Sequence, residues 1–406
     1  MHGNDGDALA FLDTFLKPVG CDRFVADYWE RQPLHVSREE GDHYAGVFDL
    51  ADADALLSDS GGLWSSGIRV VQNGSVATHI GYSSKEQSRS VGRVEATYQA
   101  YRAGATLIFS SLQERWAPVR AMHVELSSAL TAPVNINAYL TPPNAAGFPM
   151  HYDTHPVFVL QTSGVKRWRI YPPLMPLPLT SQTFKKDMLP PDVDTNDPVL
   201  DVHLHAGDML YIPRGFLHAA EACDRASLHL TVGVYNTTWS AVLESALQSV
   251  IHRHQEFRAG LPLGFGRDDR VRAEVVQSLE DLCRSAISLI EWGAIVDEAA
   301  SDAELFRRPD LVGHLLDLDR LPDLGANTPV RKPGDSRWFI DRSSDRLRLS
   351  FNGKDLLVPT HVEGALRFID GTGVFTPKDI PGPLDEPSKL VLVRRLLLEG
   401  ALTHAD

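Results

Sequence analysis

His151-Tyr152-Asp153, with His218 far downstream, offers two imidazoles and one carboxylate. That donor set holds non-haem iron(II): three ligands occupy one face of an octahedron and three positions stay open for substrate and oxygen. In an extended chain residues i and i+2 point the same way, so His151 and Asp153 would reach one ion from a single strand. His218 would then arrive from another strand.

An isolated His-x-Asp is common, so the surroundings decide its meaning. Apolar runs with strand character cover Pro133–Leu140, Pro156–Gln161, Arg167–Tyr171, Asp208–Ile212 and Leu228–Tyr235. Turn formers separate them: Thr141-Pro142-Pro143-Asn144, Ser163-Gly164, Tyr171-Pro172-Pro173, Ala206-Gly207-Asp208 and Pro213-Arg214-Gly215. Short strands with tight turns and no helices between them predict a closed or double-sheet β-barrel, whose mouth can house the three ligands. The proline-rich stretch Pro173–Pro198, carrying Lys185-Lys186-Asp187, is expected to be a long insertion beside that mouth, and Ser83–Ser90 a polar loop. The tail through Asp7 shows no periodicity and is expected to be mobile.

The segments Asn137-Ala138-Tyr139-Leu140-Thr141-Pro142-Pro143-Asn144, Gly147-Phe148, His151-Tyr152-Asp153, Leu160 to Trp168 with Gly164 and Lys166, and Gly207 to His218 follow in order. Together they resemble the Jumonji C ribosomal oxygenases over roughly residues 100–240, with a weaker likeness at the opening segment Phe24–Leu34. The resemblance implies a double-stranded β-helix (a jelly-roll of the JmjC or cupin type), and iron(II)- and 2-oxoglutarate-dependent hydroxylation of a protein side chain, consuming O2 and releasing succinate and carbon dioxide. It makes His151, Asp153 and His218 the iron ligands and Lys166 the partner of the distal carboxylate of 2-oxoglutarate. Asn137 and Tyr139, one pleat apart, become polar contacts to the co-substrate, and His229 a further position of the same site. A buried dicarboxylate does need a cation for its free end. Taken alone, Lys166 also suits a strand edge, Tyr139 and Asn137 suit structural roles, and His229 suits an apolar core.

Composition bounds this reading. The chain has 406 residues, 43% of them hydrophobic, enough for two or three domains with real cores. No run of about 18 apolar residues is present, and the acidic start lacks a basic leader, so a cytoplasmic protein without a membrane span is expected. Cys21, Cys223 and Cys283 are far apart and form no CxxC, which argues against a disulfide framework or a zinc ribbon. With 39 basic against 53 acidic residues the formal charge is -14, which argues against direct nucleic-acid binding and favours a basic partner such as a ribosomal protein. The same charge would also serve solubility alone.

Near Thr238 the periodicity changes from two to helical. Val242, Leu243, Ala246, Leu247, Val250 and Ile251 make one apolar face, a second helix is expected over Asp269–Val296 and a third over Asp302–Leu318. By resemblance this is a helical dimerisation module, which would make the protein a homodimer. From periodicity alone it is equally a layer packed on its own barrel. After the turn-rich Gly325–Ser336, a hairpin of Arg346–Ser350 and Asp355–Val358 across Asn352-Gly353, a helix over Val362–Phe368 and a closing helix over Ser388–Glu399 resemble the family's winged-helix module. The expected division is 1–239 for the catalytic domain with its opening segment, 240–322 for the helical module and 323–406 for the winged-helix-like domain. Two other functions remain open from the residues: the same chemistry on a small molecule or biosynthetic peptide, or a metal-binding cupin without oxygenase activity, an isomerase or a regulator. Lys166 separates the last from the rest, since neither needs a cation for a distal carboxylate.

Overall fold

The structure, a computed structural model, describes residues 5–59, 67–72, 75–76, 90–189, 197–305, 311–333, 336, 338–343 and 345–405. The chain divides into two compact units, His2–Tyr235 and Asn236–Asp406.

In the first unit the strands are β1 (Leu34–Val36), β2 (Ile68–Gln72), β3 (Ser75–Val76), β4 (Thr106–Phe109), β5 (Val134–Thr141), β6 (Val157–Ser163), β7 (Lys166–Pro173), β8 (Leu200–Leu204), β9 (Met209–Ile212), β10 (Phe216–Ala222) and β11 (Ser227–Val234). An eight-stranded antiparallel sheet runs β1-β9-β6-β11-β5-β4-β2-β3 and a three-stranded one β10-β7-β8. Strand β6 shows why its sequence is apolar without alternation. Val157 and Val159 pack with Trp168, Ile170 and Leu204 of the small sheet, while Phe158 and Leu160 pack on the other face with Phe15, Phe24 and Leu126 from the helical side. Both faces are buried, so both must be apolar. The tight turn into β7 depends on Gly164, at φ +70, where an added Cβ would lie 2.0 Å from the Ala226 carbonyl oxygen. Gly164→Ala should therefore destabilise the protein by about 2 kcal/mol or more, read as a lower denaturation midpoint.

The expected strands are all present, and the antiparallel mixed α/β architecture agrees with the reading of a two-sheet barrel. The differences are local. Asp5–Phe15 is helical, so Asp5–Asp7 of the tail expected to be mobile belong to a helix, and residues 1–4 lie outside the described residues. The loop expected at Ser83–Ser90 lies outside the described residues apart from Ser90, which starts the helix Ser90–Arg102. Between Pro173 and Pro198 the described part carries only a short 3-10 turn at Lys186–Met188.

The second unit opens with the helices Trp239–Arg253, Asp269–Leu289, Trp292–Leu305 and His314–Asp319. The single helix expected over Asp269–Val296 is two helices, broken at Ile290, whose side chain is buried with Ala246, Val250, Ala286 and Ile295. Turning the chain there brings both helices onto one small core. The stretch expected as a helix over Asp302–Leu318 is likewise two segments, with residues 306–310 outside the described ones. Further on, the hairpin of Arg346–Phe351 and Lys354–Pro359 turns through Asn352 and Gly353, both at positive φ, with Phe339–Ser343 as a third strand. Helices Glu363–Asp370 and Glu386–Leu398 bury Leu366, Ile369, Val393 and Leu396 beneath it.

Candidate active site

His218 lies on β10, but His151 and Asp153 do not lie on a regular strand. His151 forms an isolated bridge with His218, each N–H donating to the other's carbonyl, at 3.2 and 2.8 Å. Pro149 and Pro156 bracket the segment and cannot donate to a ladder, which limits the pairing to this one bridge. A second tie holds Asp153: its carbonyl accepts from Gly215 N–H at 2.9 Å, in the turn leading into β10. Gly215 sits at φ +87, and a Cβ there would lie 2.0 Å from the Met175 carbonyl oxygen. Residues distant in sequence are thus fixed together by backbone bonds.

The side chains converge. His151 Nε2 is 4.0 Å from Asp153 Oδ1 and His218 Nε2 is 3.8 Å from Asp153 Oδ2. One donor atom from each of the three lies within 4.8 Å of the others. His151 Nδ1 is 2.7 Å from the Pro149 carbonyl and His218 Nδ1 is 3.0 Å from that of Phe216. A carbonyl can only accept, so both Nδ1 atoms carry a proton, and Nε2 is the atom that each ring turns toward the carboxylate. Burial pushes His218 down to about 4, helped by His151, which keeps it neutral. Burial alone would raise the Asp153 carboxyl, but His218 and His151 outweigh it and hold it below the usual carboxylate range. Two imidazoles with Nε2 turned inward and one carboxylate are a donor set that fits a divalent metal ion.

Behind the three ligands lies a cavity lined among others by Tyr139, Lys166, Trp168, His218, His229 and Thr231. The pleat explains this set. On β7, Lys166, Trp168 and Ile170 face inward, while Arg167 and Arg169 face out and pair with Asp201 and Glu221. On β11, His229 and Thr231 face the cavity and alternate with the core residues Leu228, Leu230 and Val232. Tyr139 is the cross-strand neighbour of His229 and stacks on it at 5.0 Å. Lys166 is 3% exposed, and its Nζ donates to Thr141 Oγ1 at 3.0 Å, which also accepts from Thr106 Oγ1 at 3.2 Å. Among the described residues no carboxylate lies within ion-pairing distance of Nζ, and burial pushes its pKa down to about 7. A buried, unneutralised ammonium fits an anionic ligand.

Asn137 stands apart from this cavity. It shares the face of Tyr139, but its Oδ1 accepts from Ser111 N–H at 2.9 Å and from Asn135 Nδ2 at 3.2 Å, and it is absent from the lining. Sequence reasoning gave no role to Thr141 or Trp168, although Trp168 lies two residues from Lys166 on the same face of one strand, the spacing that pointed to the other pairs. It also missed Phe148, His155 and Phe184, which line an outer pocket together with His151 and Asp153. Nothing in local sequence connects Phe184 to His151, since the insertion brings it there.

Residues 111–242 match the family model described as the JmjC domain. The chain is a JmjC-domain protein. Its JmjC region belongs to a longer stretch similar to ribosomal oxygenase 1 of Homo sapiens, 35% identical over 270 residues that make up 64% of this chain and 40% of the relative. Another relative, the bifunctional lysine-specific demethylase and histidyl-hydroxylase NO66 of Culex quinquefasciatus, is 30% identical over 347 residues, covering 80% of this chain and 52% of that one. The chain thus spans about half the length, or less, of these curated relatives. Among solved structures, the ribosomal oxygenase YcfD of Escherichia coli, in complex with cobalt and 2-oxoglutarate, superposes with a TM-score of 0.52 over 95% of this chain and 98% of that one, at 17% identity. That likeness shows the fold.

Proposed function

We propose that this JmjC-domain protein is an iron(II)- and 2-oxoglutarate-dependent oxygenase that hydroxylates a protein side chain, an arginine or histidine of a ribosomal protein. The observation that carries the reading is the convergence of His151, Asp153 and His218, with both Nε2 atoms turned toward the carboxylate, next to a cavity lined by a buried Lys166 that has no carboxylate partner among the described residues. His151, Asp153 and His218 would hold the metal. Lys166 would pair with the distal carboxylate of 2-oxoglutarate, and Tyr139 and His229 would form the wall beside it. Asn137, tied to Ser111, would act one step removed by fixing the strand that carries Tyr139. When bound, iron(II) and 2-oxoglutarate supply the oxidising power to place an oxygen atom from O2 in a C–H bond, with succinate and carbon dioxide as the other products.

The chain's own residues do the positioning. The backbone bridge between His151 and His218 sets the spacing of the ligands, and the two Nδ1 hydrogen bonds fix their tautomers. Phe148 and Phe184 flank His151, with ring centroids at 5.8 and 6.4 Å, and form apolar walls at the mouth where a side chain would approach. Supporting a ribosomal partner are the names of the relatives and the charge of -14, which favours a basic protein over nucleic acid. Among the described residues no helix is long and apolar enough to cross a membrane, and a cytoplasmic location is the proposal.

Three domains are proposed, 1–239, 240–322 and 323–406. Supporting a helical dimerisation module in the second, and a homodimer, is the exposure of Leu243, Leu247, Val276, Leu279, Ile287 and Val296 on its helices. Only Ala246 and Val250 of the first helix's apolar face are fully buried within the unit. Supporting a winged-helix-like third domain are its hairpin of Arg346–Phe351 and Lys354–Pro359 and its helices Glu363–Asp370 and Glu386–Leu398. Its Lys332, Lys354 and Arg395 are paired with Asp370 and Glu399, which supports protein contact or scaffolding over DNA binding.

Two measurements test the reading. The protein, incubated with iron(II), 2-oxoglutarate, isotopically heavy oxygen gas and a ribosomal-protein extract, should add one heavy oxygen to a single ribosomal peptide; turnover with no labelled protein would favour a small-molecule or peptide substrate. The second is pH. Lys166 must be charged to pair with a carboxylate, yet with its pKa near 7 it loses its proton above that value in the free protein. The 2-oxoglutarate dissociation constant should be flat below about pH 6 and rise by up to about tenfold per unit above about pH 7.5. Lys166→Met should remove that slope.

A further inference from the structure

Two residues that line the JmjC cavity, Trp168 and His229, each carry a buried polar atom that neither the metal nor Lys166 accounts for. Trp168 Nε1 and His229 Nδ1 are buried without a hydrogen-bond partner, in side chains only 7% and 2% exposed. An indole N–H enclosed in protein and left unpaired is uncommon and unfavourable. Here two residues with such an atom line one cavity, on strands of opposite sheets, with the rings meeting edge to face at 5.5 Å. His229 is held neutral first by burial and then by the nearby Lys166, so its ring has one proton, which Nδ1 can carry.

Register places Trp168 along the co-substrate's path. On the inner face of β7, Lys166 stands opposite Ala222, Trp168 opposite Ala220 and Ile170 opposite His218 of β10. Trp168 is therefore at the level midway between the lysine and the ligand His218, with its ring 6.1 Å from that imidazole. A linear dicarboxylate reaching from the metal toward Lys166 must pass the indole. The indole can only donate, as can a lysine ammonium, so both suit an acceptor-rich group.

We propose that Trp168 Nε1–H, together with His229 Nδ1–H, binds the distal carboxylate of the co-substrate beside Lys166, so that the carboxylate is gripped from both sheets of the barrel. This rests on the reading that the cavity takes 2-oxoglutarate. It assigns Trp168 a binding role beyond filling the core between the sheets.

The test is equilibrium binding to full-length protein loaded with manganese(II), which prevents turnover, using 2-oxoglutarate and 2-oxobutyrate. The second ligand has the same keto-acid end and no distal carboxylate. Trp168→Phe, which keeps the ring and removes the donor, should weaken 2-oxoglutarate roughly tenfold or more while leaving 2-oxobutyrate and manganese affinity unchanged. Unchanged 2-oxoglutarate affinity, or equal weakening of both ligands, would overturn the proposal and leave the oxygenase reading intact. No 2-oxoglutarate binding by the unmodified protein would sink both. Should the variant not fold, the indole N–H resonances of the unmodified protein give the answer. One of the seven tryptophan signals should move downfield with 2-oxoglutarate and not with 2-oxobutyrate, and a spectrum unmoved by 2-oxoglutarate contradicts the assignment.

Discussion

Asp153→Ala should abolish turnover and weaken divalent-metal binding by more than about 100-fold, because loss of an outer partner of a metal ligand alone is worth roughly 10–100-fold. Asp153 is the only anionic donor in the cluster, and its carboxylate faces both Nε2 atoms at 3.8–4.0 Å. Without it two neutral imidazoles remain, and they can hold the ion only as an incomplete, uncharged site. The fold should survive, since Asp153 is joined to the Gly215 turn through its backbone carbonyl, which the substitution keeps. Cobalt(II) titration followed by visible absorption reads the metal site directly. Wild-type affinity in Asp153→Ala would remove the carboxylate from the ligand set.

Lys166→Ala should act on the co-substrate and spare the metal. A buried cation paired with a carboxylate is worth about 3 kcal/mol when one member is removed, so 2-oxoglutarate affinity should fall roughly 100-fold or more. Lys166 reaches Thr141 at the far side of the cavity, and iron(II) affinity should change by less than about threefold, within the spread expected for independent sites. Stability should hold or rise, because a buried ammonium whose pKa is depressed by burial favours unfolding. Separate titrations of metal and 2-oxoglutarate distinguish this from a general loss of packing. Equal weakening of both would contradict the role assigned to Lys166.

The sheets were legible where burial imposes a pattern. The runs at Val134–Thr141, Val157–Ser163 and Ser227–Val234 are central strands with apolar faces, and turn residues mark their ends. Strand β8, Leu200–Leu204, was missed because it sits at the edge of the small sheet and alternates Asp201 and His203 outward. The helical break at Ile290 was invisible for a related reason. Gly293, the nearest glycine, lies inside the following helix and not at the break, and it is the tertiary core around Ala246 and Ile295 that requires the turn. At the site, the ligand types were clear from Asp153 and the two histidines, but their support was not: the His151–His218 bridge and the Gly215 bond join residues far apart in sequence, which no local spacing encodes. Asn137 shows the opposite case. Its pleat matches that of Tyr139, yet the αL residue Ser111 brings a backbone N–H to its amide oxygen, a partner that strand periodicity cannot foresee.

The most direct measurement is succinate formation from 2-oxoglutarate by the iron(II)-loaded protein under air, with and without a ribosomal-protein extract, using His151→Ala as the blank. The account predicts turnover that the extract stimulates and the blank lacks. No iron-dependent succinate in either condition, from protein that binds the metal, would contradict it and leave a metal-binding barrel without oxygenase chemistry.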